Sequence, residues 1–203
     1  MRRTRLLWVV SVICVARASL AGAQTSSGRI ELGAQLVSVS SGQFDSTDVG
    51  LGGRVSWRPN SILGLEAELT VFPRDFPGDR PFSRGRFEGL FGATAGVTFH
   101  RFRPFARARP GFVVVQESPA PFACILIFPP PLTCTLASGR TLAAVDLGGG
   151  IDIATTARTF VRVDVGHRLV RYPGPVFDTD RMIHEDSFFA HEFRFAAGAG
   201  VRF

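Results

Sequence analysis

Reactive side chains are few in this sequence and widely scattered. The four histidines are His100, His167, His184 and His191. Only His184 has suitable company, because His184-Glu185-Asp186-Ser187 gathers a base, two acids and a hydroxyl into four residues. Those are the ingredients of an activated nucleophile, and this run is where a hydrolase would be sought. Polar residues in a long connection are usually just solvated, so no catalytic residue is assigned. Of the three cysteines, Cys124 and Cys134 bracket a short segment. In an exported chain the natural reading of such a pair is a disulfide closing a loop. A metal site is the rival reading, but no histidine stands near enough to complete a tetrahedral set. Neither a metal nor a cofactor is expected.

The charged residues are more telling. Arg54, Arg107, Arg109, Arg162, Arg168, Arg194 and Arg202 are matched by Glu31, Glu66, Glu68, Glu88, Asp146, Asp152, Asp164 and Glu192. The two signs are interleaved along the chain, so there is no basic stripe of the kind nucleic acid requires. The overall excess of 23 basic over 17 acidic residues is misleading. The first 23 residues hold four arginines (Arg2, Arg3, Arg5, Arg17) and no acid, which leaves 19 against 17 in the remainder.

That opening segment runs from basic residues through an apolar stretch, Leu6 to Ala16, to Ala21-Gly22-Ala23. The pattern is that of a secretory signal peptide with cleavage after Ala23. The apolar stretch falls short of the roughly 20 residues a membrane-spanning helix needs. Ile13 before Cys14 excludes a lipoprotein site. Residues 24–203 suffice for one domain.

Within that domain, apolar residues fall at every second position, which separates the two faces of a strand. Leu63, Leu65, Ala67, Leu69 and Val71 alternate with Gly64, Glu66, Glu68 and Thr70. The same rule marks strands at 30–36, 49–57, 87–99, 141–153, 159–169 and 189–203. A further strand at 103–115 is less regular, because Pro104 and Pro110 cannot donate to a ladder. The eight strands are joined alternately by short turns (near 58–61, 100–102 and 154–158) and by long connections at 38–48, 73–85, 116–140 and 170–187. Short turns on one rim and long loops on the other describe an outer-membrane barrel.

Eight strands leave an interior that holds side chains only. The face bearing glycine and matched charges can fill it, with Arg54, Glu66, Glu68, Glu88, Arg107, Arg109, Asp146, Asp152, Arg162, Asp164, Arg168, Glu192 and Arg194 as a self-neutralising lumen network. The apolar face is then left for lipid, where closing the sheet on itself satisfies every backbone amide. Phe72, Phe87, Phe99, Phe102 and Phe203 fall near strand ends, where interfacial aromatics are expected.

The final stretch, Phe193-Arg194-Phe195-Ala196-Ala197-Gly198-Ala199-Gly200-Val201-Arg202-Phe203, ends in Phe with apolar residues at every second place. It resembles the C-terminal signal by which the barrel assembly machinery recognises outer-membrane proteins, with Phe195, Val201 and Phe203 as its carriers. Taken whole, residues 24–203 resemble the small eight-stranded outer-membrane barrels typified by the transmembrane domain of outer membrane protein A. The resemblance implies an all-β, antiparallel up-and-down transmembrane barrel, embedded in outer-membrane lipid and lipopolysaccharide. It names an architecture and no activity. Some barrels of this size modify lipid A through a His-x-Ser pair on a lipid-facing strand, and this chain has no His-x-Ser.

The function expected is a non-enzymatic structural or surface-contact role exerted through the long loops. A narrow channel for small solutes is the first alternative and a lipid A hydrolase the second. A soluble lipocalin-like carrier would want a Gly-x-Trp near the first strand, whereas Trp57 follows Val55-Ser56. The loop at 116–140 carries an apolar run between its cysteines. Such a patch is either a contact surface or a lid folded over the barrel mouth.

Overall fold

The computed structural model describes residues 29–42, 46–73, 84–117, 129, 132–178 and 183–203. Eight long strands close into an antiparallel barrel: β1 (Arg29–Ser41), β2 (Ser46–Arg58), β3 (Leu63–Phe72), β4 (Arg84–Gly96), β5 (Phe102–Gln116), β6 (Arg140–Ala154), β7 (Thr159–Tyr172) and β10 (Phe188–Arg202). Each strand pairs with its neighbours in sequence. The barrel shuts where β1 meets β10, from Glu31 opposite Arg202 to Ser41 opposite Glu192. Two short strands, β8 (Val176–Asp178) and β9 (Ile183–Glu185), pair with each other between β7 and β10. Among the described residues one helix, α1 (Leu132–Ala137), precedes β6.

The short turns are built from residues suited to them. Asn60 Oδ1 accepts from the amides of Ile62 (2.9 Å) and Leu63 (2.7 Å), an Asx-type turn between β2 and β3. Phe99 and Phe102 exchange backbone hydrogen bonds across His100 and Arg101. That two-residue hairpin puts His100 at φ +56°, a left-handed conformation that histidine tolerates better than most side chains do. Between β6 and β7, the Thr156 hydroxyl accepts from the amides of Arg158 (3.2 Å) and Thr159 (3.0 Å).

Four expectations about the elements need correction. The first long connection, 38–48, is mostly strand: β1 runs on to Ser41 and β2 restarts at Ser46. β4 occupies Arg84–Gly96 rather than 87–99, since Val97 to Phe99 are taken up in closing the hairpin onto Pro104 and Phe102. β7 extends to Tyr172, and the connection at 170–187 contains the β8–β9 hairpin. β5 alternates cleanly despite its prolines, because Pro104 and Pro110 both face outward. The ladder to β4 pauses at Pro110, running from Arg84–Gln116 to Leu90–Gly111 and resuming at Ala93–Ala108. A missing amide therefore costs a local gap and leaves the facing intact.

Charged residues line most of the interior, with Phe105 and Phe160 buried among them toward the short-turn rim. Toward the long-loop rim apolar side chains join the charges of Asp48, Arg86 and Glu192, with Val113, Val115, Leu142, Ala144, Val170, Tyr172 and Ala190 packed as one cluster and Val37, Val39, Phe72 and Ala196 as another. Alternation was expected to keep apolar side chains outside along the whole strand. At this end both faces carry them. Phe72, expected at the interface, is inside and lies beneath the Arg86 guanidinium at 4.3 Å.

Candidate functional site

β3, β5, β6, β7 and β10 present their charged residues inward at every second position, and the arginines of one strand reach carboxylates on others. Arg109 on β5 is the hub: Nη1 donates to Glu66 (2.7 Å) and Glu68 (2.6 Å) on β3, while Nε (3.1 Å) and Nη2 (2.7 Å) donate to Asp146 on β6. Arg162 joins Glu66 (2.5 Å) to Asp152 (2.7 Å). Arg107 bonds Asp146 (2.9 Å) and pairs with Asp164. Arg194 pairs with Glu68 and lies 3.5 Å from both Glu88 and Asp164. Arg168 bridges Glu88 and Glu192, and Arg54 meets Gln35 (3.1 Å) and Glu66 (3.7 Å).

The thirteen residues expected to line the lumen are all buried there. Sequence reasoning left out further members. Asp48 falls in the expected connection 38–48 and Arg86 between the expected connection 73–85 and strand 87–99; both sit inside, with Arg86 3.7 Å from Asp48 and 3.8 Å from Glu192. Their even numbers continue the inward parity of Gly50 and Glu88, which was the available signal. Arg103 lies 3.4 Å from Asp152, and Glu31 at the short-turn end is shared by Arg58 and Arg202 (2.6 Å).

Charges this far from water survive only when paired and hydrogen-bonded, because desolvation costs several kcal/mol per ion. Packing is correspondingly dense. A side chain at Gly166 would meet Asp146 Oδ1 at 2.6 Å and Arg107 Nη2 at 3.0 Å, so the glycine is what admits that pair. Arg109, Asp146, Arg168, Glu192 and Arg194 are all 0 % exposed.

The outer wall is the reverse. Leu36, Leu51, Leu69, Phe91 and Phe193 are each between 55 and 65 % exposed, and among the described residues the other large exposed apolar side chains lie on the same outward face. Soluble monomers rarely expose an apolar surface so continuous.

The long-loop mouth is covered in part by α1. Leu136 drops into the upper apolar cluster, 1 % exposed, and Gly139 at φ +73° ends the helix with its amide on the Leu136 carbonyl (3.0 Å). Cys134 on this helix is half-buried and engaged in a disulfide; Cys124 lies outside the described residues. The segment 1–23 lies outside them too. In the His184-Glu185-Asp186-Ser187 run the side chains of His184 and Glu185 are not described, and Asp186 and Ser187 are exposed. His167 and His191 are unexpectedly joined on the outward wall, His167 Nε2 lying 2.8 Å from His191 Nδ1. Among the described residues no carboxylate or hydroxyl completes that pair. No group of three or more metal-ligating side chains occurs among the described residues either. Phe195, Val201 and Phe203 point outward along β10.

No protein-family model matches the chain, and no curated protein is similar to it in sequence. Solved structures do match. The N-terminal β-barrel domain of Pseudomonas aeruginosa OprF superposes with a TM-score of 0.55 at 11 % identity, over 87 % of this chain and 98 % of that one. The fold is that of a small eight-stranded outer-membrane barrel. Neisserial surface protein A (TM-score 0.47, 17 % identity, 88 % of this chain and 98 % of that one) and Ail of Yersinia pestis (0.48, 12 %, 89 % and 100 %) are similar at a lower level. At such identities the likeness extends to the barrel architecture alone.

Proposed function

We propose that this chain is an integral outer-membrane protein with a structural or surface-contact role, and that it neither conducts solutes nor catalyses a reaction. The observation that carries the reading is the inverted polarity: an apolar wall outside, and inside it a buried ionic network whose charges pair with one another. A wall of this kind suits acyl chains. β3, with ten residues tilted by about 40°, reaches across a belt of about 25 Å. Export by residues 1–23 with cleavage after Ala23, assembly through Phe195, Val201 and Phe203, a Cys124–Cys134 disulfide, and contacts to lipopolysaccharide or to another protein through loop 116–140 complete the proposal. The burial of Leu136 favours a lid role for the end of that loop.

Refolding in detergent tests this reading. The folded barrel should migrate differently on a gel before and after boiling, and the same sample in planar bilayers should show no discrete conductance steps. An unshifted band argues against the barrel in detergent; steady unitary currents favour the channel. Among the described residues, a lipid hydrolase is favoured by the outward His167–His191 pair alone. It would release fatty acid from lipid A in a manner abolished by His191→Ala, and we expect no such release.

A further inference from the structure

The two rims differ in charge. Exposed charges at the long-loop rim have both signs, as Glu117, Arg140, Arg171 and Asp186 illustrate. At the short-turn rim they have one. The turns 59–62, 97–101 and 155–158 contain no aspartate or glutamate, and Arg29, Arg101 and Arg158 stand exposed there with no ion pair among the described residues. The carboxylates nearest this end, Glu31 and Asp152, are buried and already taken by Arg58 and Arg202 and by Arg103 and Arg162.

The cations are also held close together. Arg29 lies directly opposite Arg58 across the β1–β2 ladder, and the Arg202 amide donates to the Arg158 carbonyl at 2.7 Å. Arg29, Arg158 and Arg202 line one cleft of about 790 Å³, with Val201 and Phe203 as its apolar side. Like charges set opposite one another in a sheet are destabilising unless something neutralises them. Exposed aromatic residues fix the depth of this rim: Trp57 precedes Arg58, Phe102 follows Arg101 and Phe203 follows Arg202, all three rings facing outward. Aromatic belts sit at headgroup level, so the guanidinium groups next to them fall at the level of lipid phosphates. Guanidinium recognises phosphate with paired, geometrically matched hydrogen bonds.

We propose that the short-turn rim is a binding surface for anionic glycerophospholipid headgroups, with Arg29, Arg101 and Arg158 as the phosphate-contacting residues and the Arg29–Arg158–Arg202 cleft as its principal site. This rests on the membrane reading above. The surface gives the barrel a preference for the lipid that surrounds its short-turn end.

Trp57 lies at this rim and reports on it. The test uses the full chain carrying Trp8→Phe, which leaves Trp57 as its only tryptophan, refolded into phosphatidylcholine vesicles. At equal mole fraction, phosphatidylglycerol or phosphatidylcholine brominated in its acyl chains replaces part of the host lipid. Phosphatidylglycerol should quench Trp57 with a relative association constant about fivefold higher, the factor that roughly one arginine–headgroup attraction supplies. The preference should fall close to unity in the Arg29→Gln/Arg101→Gln/Arg158→Gln variant and, in the parent chain, at 1 M salt, where screening acts over roughly 3 Å. Equal quenching by the two lipids, or a preference that survives both the variant and the salt, overturns this inference and leaves the membrane reading standing. Quenching by neither lipid overturns the membrane reading itself.

Discussion

Arg109 is the residue on which the lumen most depends, because its guanidinium holds Glu66, Glu68 and Asp146 together across three strands. Removing it leaves three buried carboxylates competing for the remaining arginines, and breaking a buried pair on one side costs about 3–5 kcal/mol. Arg109→Ala should therefore lower the unfolding free energy of the refolded barrel by about that amount in a denaturant titration. Arg109→Lys should recover only part of it, since an ammonium lacks the fork that spans the three partners. Arg171→Ala, a change at an exposed arginine, should leave the midpoint nearly unmoved. Most lumen residues could be read from the sequence, because charge at every second position is a local signal. Which arginine meets which carboxylate could not, because register across strands as far apart in sequence as β3 and β10 is set by closure of the barrel. The Arg194–Glu68 pair, joining residues 126 positions apart, is an example.

At the scale of elements, β5 and α1 departed furthest from expectation. The prolines of β5 obscured its facing, yet both occupy outward positions where the cost is confined to the ladder with β4. The inward turn of Val113 and Val115 was illegible for a different reason: Val113-Val114-Val115 is apolar on both faces, so periodicity carries no information there. α1 is six residues long, too short for a helical period to stand out, and its place depends on Leu136 finding the cluster formed by β5, β6, β7 and β10. Leu136→Asp should release this lid without opening the barrel. Amide exchange in α1 should accelerate by orders of magnitude while the β5 and β6 amides keep their protection. If all of them accelerate together, the helix is part of the barrel's cooperative unit and not a separate cap. On the outer face, Leu51→Arg at mid-strand of β2 should cost about 2–4 kcal/mol of stability in bilayers. Ser40→Arg, near the loop end of β1, should cost about 0–1 kcal/mol. Equal effects at the two positions would mean that depth does not matter to this wall.

The whole molecule is a sheet turned inside out relative to a water-soluble barrel, with ionic groups neutralising one another in the centre and apolar groups outward. The strand count, the antiparallel order and the inversion were all visible in the alternation and in the uneven connections. The apolar clusters of the upper lumen and the helical lid came from tertiary packing. The inverted polarity is tested most directly by single-cysteine spin labels, placed in turn at positions 63, 65, 67, 69 and 71 of β3 in a cysteine-free background and refolded in phosphatidylcholine bilayers. Dissolved oxygen should relax the label more than a water-soluble nickel complex does at Ala67, with the nickel effect rising toward both Leu63 and Val71. Nickel accessibility at every position, or a label at Ala67 shielded from both reagents, would contradict a wall that faces lipid.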